Sequence, residues 1–219
     1  MNSAYEVEYN VLKMMVEEIN QNLDKLISEV AVCIRDRRVE NSRWIGTTLK
    51  EIQDKSYELE SDALRFMVEY RPRNSDLRSV FVFTRIGSRL AEIALIMASL
   101  VNDTHGSIDS GEMFATSADT LRDILKNLCD GIREEDFDPY SIRQKIDRAY
   151  SQLNKWFDKC AVRVLESDTS TGYIIDGARI MSTLQQVVKM VEALAIDLMY
   201  LVTGSHELLA GQRVVVALE

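Results

Sequence analysis

The stretch Tyr70-Arg71-Pro72-Arg73-Asn74-Ser75-Asp76-Leu77-Arg78 decides how this chain folds. A long helical pattern of polar and apolar residues runs into it and another runs out of it. It holds one of only two prolines in 219 residues. The residue before a proline is pushed out of the α region, so the helix on the left ends near Arg71. Proline suits the first turn of a helix, where its missing N–H goes unused. Asp76 falls near the start of the next helix, where a carboxylate interacts favourably with the helix dipole. The segment predicts a tight corner between two long antiparallel helices.

Outward from that corner the helical stripes continue in both directions. Upstream, Asn41 to Glu69 carries Ile45, Leu49, Ile52, Leu59, Leu64 and Met67, and before it Val11, Met15, Ile19, Leu23, Leu26, Val30 and Cys33 step by three or four. Downstream, Val80, Phe83, Ile86, Leu90, Ile93 and Met97 mark a third helix. The run from Asn102 to Gly111 then reads as the clearest loop in the chain.

The pattern restarts with Leu121, Ile124, Leu128 and Ile132, which an acidic turn from Glu134 to Pro139 ends. A fifth helix carries Ile142, Ile146, Leu153, Phe157, Ala161 and Val164. After a Ser167–Gly172 loop, a sixth carries Ala178, Met181, Leu184, Val188, Val191, Leu194, Leu198 and Leu201, with Gly204 placed as its C-terminal glycine. Three helices with short connections fold most simply as an antiparallel bundle. The expected fold is all-α: two tandem antiparallel three-helix bundles, residues 1–103 and 112–204, with a C-terminal tail at 205–219. A repeat of roughly 100 residues excludes a short-period solenoid.

Composition narrows the function. With 46% hydrophobic residues and nine glycines the chain is too apolar for disorder and too poor in turn residues for an all-β fold. A net charge of −9 repels nucleic acid, which excludes that partner. The Arg35-Asp36-Arg37-Arg38 run reads as a solvated helix end. Cys33, Cys129 and Cys160 are widely spaced and form no C-x-x-C pair, which fits buried thiols in a reducing compartment. The acidic N-terminus is unlike a secretion signal. The most apolar stretch, Val80 to Val101, contains Arg85, Arg89 and Glu92, so direct membrane insertion is not expected. The expected location is the cytoplasm.

No catalytic constellation emerges. His105 and His206 lack the Glu three residues earlier that di-metal helical sites use, and they read as surface histidines. Glu92 and Glu192 have no carboxylate three or four residues away. Asp54, Glu58 and Asp62 step by four as a solvated acidic face. There is no G-x-S-x-G, no cysteine with a nearby histidine, and no glycine-rich phosphate loop. Met14, Met15, Met67, Met97, Met181, Met190 and Met199 read as core filler, and Trp44 and Trp156 as packing residues. The chain reads as a non-enzyme without a cofactor.

Two spots, Pro72 with Asp76-Leu77-Arg78, and Met199-Tyr200-Leu201-Val202-Thr203-Gly204, resemble the PhoU family. There a proline is followed four residues later by Asp-Leu-Arg at the second corner, and the last helix ends in Tyr-Leu-Val-(Thr/Glu)-Gly. The resemblance runs from about Met1 to Gly204 and implies two tandem three-helix bundles. It implies a cytoplasmic regulator of phosphate or other ion transport and its signalling, whose partner is a membrane transporter subunit or a sensor kinase. Asp76, Arg78 and Arg85 are the candidate partner-binding residues, and long exposed helices leave room for a homodimer. A helical scaffold or dimerisation protein unrelated to transport is the alternative.

The chain departs from the family at its metal motifs. The third and sixth helices of PhoU proteins usually carry Glu-Arg-Ile-Gly-Asp or a close variant, whose carboxylates bind multinuclear iron or other metals. At those positions this chain has Ala91, Leu95, Gln185 and Lys189. In a second register the look-alike Thr84-Arg85-Ile86-Gly87-Ser88 also lacks both carboxylates. A hard cation needs anionic oxygen, so no metal site is expected here. The tail segment Arg213 to Glu219 is a β-branched run, expected to pack on a bundle or a second subunit.

Overall fold

The computed structural model describes residues 3–36, 42–103, 108–134, 138–166 and 171–203. Those residues form six helices and no strand: α1 (Ser3–Asp36), α2 (Ser42–Tyr70), α3 (Ser75–Asp103), α4 (Ile108–Glu134), α5 (Pro139–Glu166) and α6 (Thr171–Thr203). Helices α1, α2 and α3 pack on one another, as do α4, α5 and α6. The two bundles meet where α1 lies on α4 and α3 on α6. No helix among the described residues is long and apolar enough to cross a membrane.

The corner between α2 and α3 spans 71–74 and differs from the expected geometry in one respect. Pro72 lies ahead of α3 and not in its first turn. Arg71 leaves the α region by turning left-handed, with φ 47°, and its N–H donates to the Met67 carbonyl at 3.1 Å. That cap ends α2. Asn74, φ 53°, supplies the second left-handed turn, a conformation its short polar side chain tolerates. Asp76 sits in the first turn of α3 as expected.

The buried stripes follow the expected period but shift by a residue or two at their edges. Leu12, Phe66 and Trp156 are buried, while Val11, Leu64 and Phe157, read as core, are exposed. Ala178 is also exposed. Successive positions on a helix lie 100° apart, so at a stripe's edge the neighbouring helix chooses between adjacent residues such as Val11 and Leu12 or Trp156 and Phe157, whereas Leu64 lies off the α2 stripe that Leu59, Ala63 and Phe66 continue. Trp44, in the first turn of α2, is 42% exposed, while its neighbour Ile45 is buried and supplies the core contact of that turn. Met15, Met97, Met181, Met190 and Met199 fill the core, whereas Met14 is 66% exposed. Cys33 and Cys129 are buried free thiols.

The polar run Asn102–Gly111 is helical through Asp103 and again from Ile108, so α4 starts before 112. The residues that read there as a loop are the same types that helix termini favour, and composition alone cannot separate the two. At the other corner Pro139 opens α5, and Asp138 Oδ1 accepts from the Tyr140 N–H at 3.0 Å as a helix cap. His105, Gly204, His206 and the 205–219 tail lie outside the described residues.

Candidate functional site

Helix α3 places Arg78, Arg85 and Arg89 along the side that meets α6. Their spacings of seven and four return to nearly the same helix face. Arg78, in the first turn of α3, holds its guanidinium over the ring of Tyr200 at 5.7 Å from the centroid. Its Nε is buried and has no acceptor among the described residues. Two turns further on, Arg85 and Arg89 both reach Asp197 of α6. Arg89 Nε donates to Oδ2 at 2.9 Å, and Arg85 Nη2 lies 2.7 Å from Oδ1. The second contact is an ion pair without hydrogen-bond alignment, because Oδ1 accepts no hydrogen bond despite that distance.

Asp197 is 1% exposed, and its two arginine partners are about a third exposed. A buried carboxylate needs such compensation. The cations lie on the first bundle and the anion on the second, so this pair ties the bundles together. Asp197 was legible as a lone charge inside the apolar stripe of α6, between Leu194 and Leu201, but its partners were not.

Asp76 and Arg78, adjacent in sequence, face different neighbours. Asp76 Oδ2 accepts from the Tyr5 hydroxyl of α1 at 2.6 Å. Burial, reinforced by this hydrogen bond, pushes the Tyr5 hydroxyl well above its usual range. Tyr5 also packs against Phe66 and Tyr70 of α2, with centroids 5.0 and 5.5 Å away. The Asp76-Leu77-Arg78 segment therefore joins α1, α3 and α6 at one end of the molecule. The two sequence spots that resemble the PhoU family meet there, through Arg78 and Tyr200.

A second buried carboxylate of α6, Glu192, is held inside the second bundle. Arg143 Nη1 donates to its Oε1 at 3.0 Å, and the Tyr150 hydroxyl lies 3.4 Å from Oε2. Arg143 also pairs with Asp147 at 3.0 Å, so the group anchors two turns of α5 to α6. Glu92 is exposed. Glu58 and Asp62 pair with Lys55 and Arg65 at 3.0 and 3.2 Å on the outer face of α2.

Of the four residues that the sequence resemblance sets against metal-binding carboxylates, Ala91 and Gln185 are half-buried and Leu95 and Lys189 exposed. Ala91 and Leu95 offer no donor atom, Gln185 one neutral carbonyl, and Lys189 a like charge. These side chains do not fit a multinuclear metal cluster. Among the described residues no group of three or more His, Cys, Asp or Glu side chains is arranged to hold a metal ion.

No protein-family profile matches this sequence, and no curated protein does. Solved structures match it in fold. PhoU from Pseudomonas aeruginosa superposes with a TM-score of 0.75 at 14% identity, over 92% of this chain and 100% of that one. The phosphate transport system regulatory protein PhoU from Streptococcus pneumoniae gives 0.75 at 18% identity, over 92% and 98%. The chain has the PhoU fold across nearly all of its length.

Proposed function

We propose that this chain is a non-enzymatic regulator of phosphate, or other ion, transport and its signalling. It acts in the cytoplasm by docking on a transporter subunit or a sensor kinase and biasing that partner between two states. Such coupling needs only a difference in affinity for the two states. The observation that carries the reading is the meeting of Arg78 with Tyr200. The two motifs that resemble the PhoU family lie more than a hundred residues apart, yet they form one contact at one end of a PhoU-like fold.

Asp76, Arg78 and Arg85 are the residues proposed to meet the partner. Arg85 keeps about a third of its side chain in solvent while its charge is held by Asp197, so it can contact a second surface without losing its place. The test is co-purification from native cells. A transporter subunit or sensor kinase retained by the intact protein, and lost with Arg78→Ala or Arg85→Ala, supports the reading. Retention of a second copy of the chain alone would favour a dimerisation scaffold instead.

A further inference from the structure

A cavity of about 490 Å³ opens between α1 and α4, where the two bundles meet. Its volume falls within the range of small-metabolite sites. The α4 wall is a row of cations: Arg122, Lys126 and Arg133 are spaced by four and seven residues and share one helix face. The α1 wall is a row of acceptors, with Glu17, Asn20 and Asp24 on one face. Its charged lining residues are four cations (the three above and Lys25) and three anions (Glu17, Asp24, Asp130), a net positive lining within a chain of net charge −9.

Part of this charge is already satisfied. Arg122 grips Asp24 through Nε at 2.6 Å and Nη2 at 3.0 Å, and Arg133 lies 2.9 Å from Asp130. The first pair joins the two walls, and the second lies within α4. Lys126 is exposed, and neither it nor Glu17 forms an ion pair with any described residue. Asn20 stands in the cavity wall, is nine-tenths buried, and its Oδ1 accepts no hydrogen bond. An unsatisfied buried acceptor is costly and calls for a partner. The last torsion of asparagine is soft, so a donor entering the cavity can turn its carboxamide.

The geometry points to a binding site for a phosphorylated sugar, either free or as the ribose phosphate of a nucleotide. The phosphate lies against Lys126 and its neighbouring arginines, where charge-assisted hydrogen bonds are strong. The hydroxyls donate to Glu17 and Asn20 across the cavity. Inorganic phosphate brings no sugar hydroxyls to the α1 acceptors, and an unphosphorylated sugar brings no anion to the Lys126 charge. Because the walls belong to different bundles, an occupant bonds to both and biases their spacing.

The test is isothermal calorimetry of the whole chain with glucose 6-phosphate and AMP, and with glucose, adenosine and inorganic phosphate as comparisons. At least one of the phosphorylated sugars binds roughly tenfold or more tightly than its unphosphorylated form and than inorganic phosphate. Which of the two binds separates a free sugar phosphate from a nucleotide. Lys126→Ala and Glu17→Ala each weaken that binding, Lys126→Arg retains it, and Lys145→Ala, in a separate hollow between α4 and α5, leaves it unchanged. Circular dichroism checks that each variant keeps its helices, and a variant that does not is replaced by Arg133→Gln. Absence of binding by both phosphorylated sugars at millimolar concentration overturns the assignment. So does equal binding of inorganic phosphate, or indifference to Lys126→Ala and Arg133→Gln. The measurement uses the isolated chain, so its failure leaves docking on a transporter or kinase untouched.

Discussion

Arg78 lies over the ring of Tyr200, 5.7 Å from its centroid, and so links the first turn of α3 to the last turn of α6. A guanidinium in that position is attracted by the ring's electrons, worth about 0.5–1 kcal/mol where solvent still reaches the pair. Arg78→Met keeps the apolar stem and removes the cation. It is expected to cost about that amount in urea unfolding. Tyr200→Leu costs more because ring packing is lost too. The double variant costs less than the sum, and strict additivity would show that the two side chains do not interact.

The Asp197 anchor is asymmetric, and its variants are expected to be as well. Removing both arginines strands a carboxylate that is 1% exposed, whereas removing Asp197 frees two arginines that already reach water. Arg85→Met with Arg89→Met is therefore expected to destabilise the fold by roughly 3 kcal/mol or more. Asp197→Asn is expected to cost clearly less. Thermal unfolding of the three proteins side by side gives the order, and the reverse order would contradict the assignment.

Alkaline pH is expected to loosen the molecule. Burial, with Glu17 and Asp130 adding to it, pushes the Cys129 thiol from 9.0 up to about 12. Burial and Asp76 likewise raise Tyr5 above its usual 10.0. Both folded values exceed the unfolded ones, so the protonated forms stabilise the fold fully below pH 9. The Cys129 share is lost as pH rises from 9 to 12, and the Tyr5 share from 10 upward. One such group lowers stability by at most about 1.4 kcal/mol per pH unit. Cys129→Ala is expected to flatten the fall in melting temperature between pH 9 and 12, and Tyr5→Phe to flatten it only above 10.

Metal retention is expected to be far below stoichiometric. Tag-free protein exposed to iron, zinc, manganese and magnesium, then desalted, should carry little metal by elemental analysis. Four expected carboxylates are replaced by Ala91, Leu95, Gln185 and Lys189, which removes the attraction that offsets stripping water from an ion. Near-stoichiometric metal lost on Glu92→Gln would contradict this.

Local chemistry was enough to read the helices and the corner between α2 and α3. Six apolar stripes with few interrupting glycines or prolines specify helices, because the period of hydrophobic residues is set by the backbone itself. Pro72 announced a corner for the same local reason. It did not announce its shape, since the left-handed turns at Arg71 and Asn74 depend on where α3 must go. At stripe edges the choice of Leu12 over Val11 and Trp156 over Phe157 came from the packed neighbour, while Leu64 lies out of step with the buried Leu59, Ala63 and Phe66.

The contacts that define the candidate sites belong to tertiary structure. Asp24 meets Arg122 across 98 positions of sequence, and Arg89 meets Asp197 across 108. Nothing local marks either arginine, because a surface arginine and one that crosses to another bundle look alike on a helical pattern. Asp197 carried a faint sign as a charge on an apolar face, while the cavity beside Lys126 carried none. The amino acids alone determined helices, their order and the duplicated architecture, through forces that act within a few turns. The packing of α1 on α4 and of α3 on α6 determined which charges meet, because a Coulomb pair in low dielectric depends on distance through space and not along the chain.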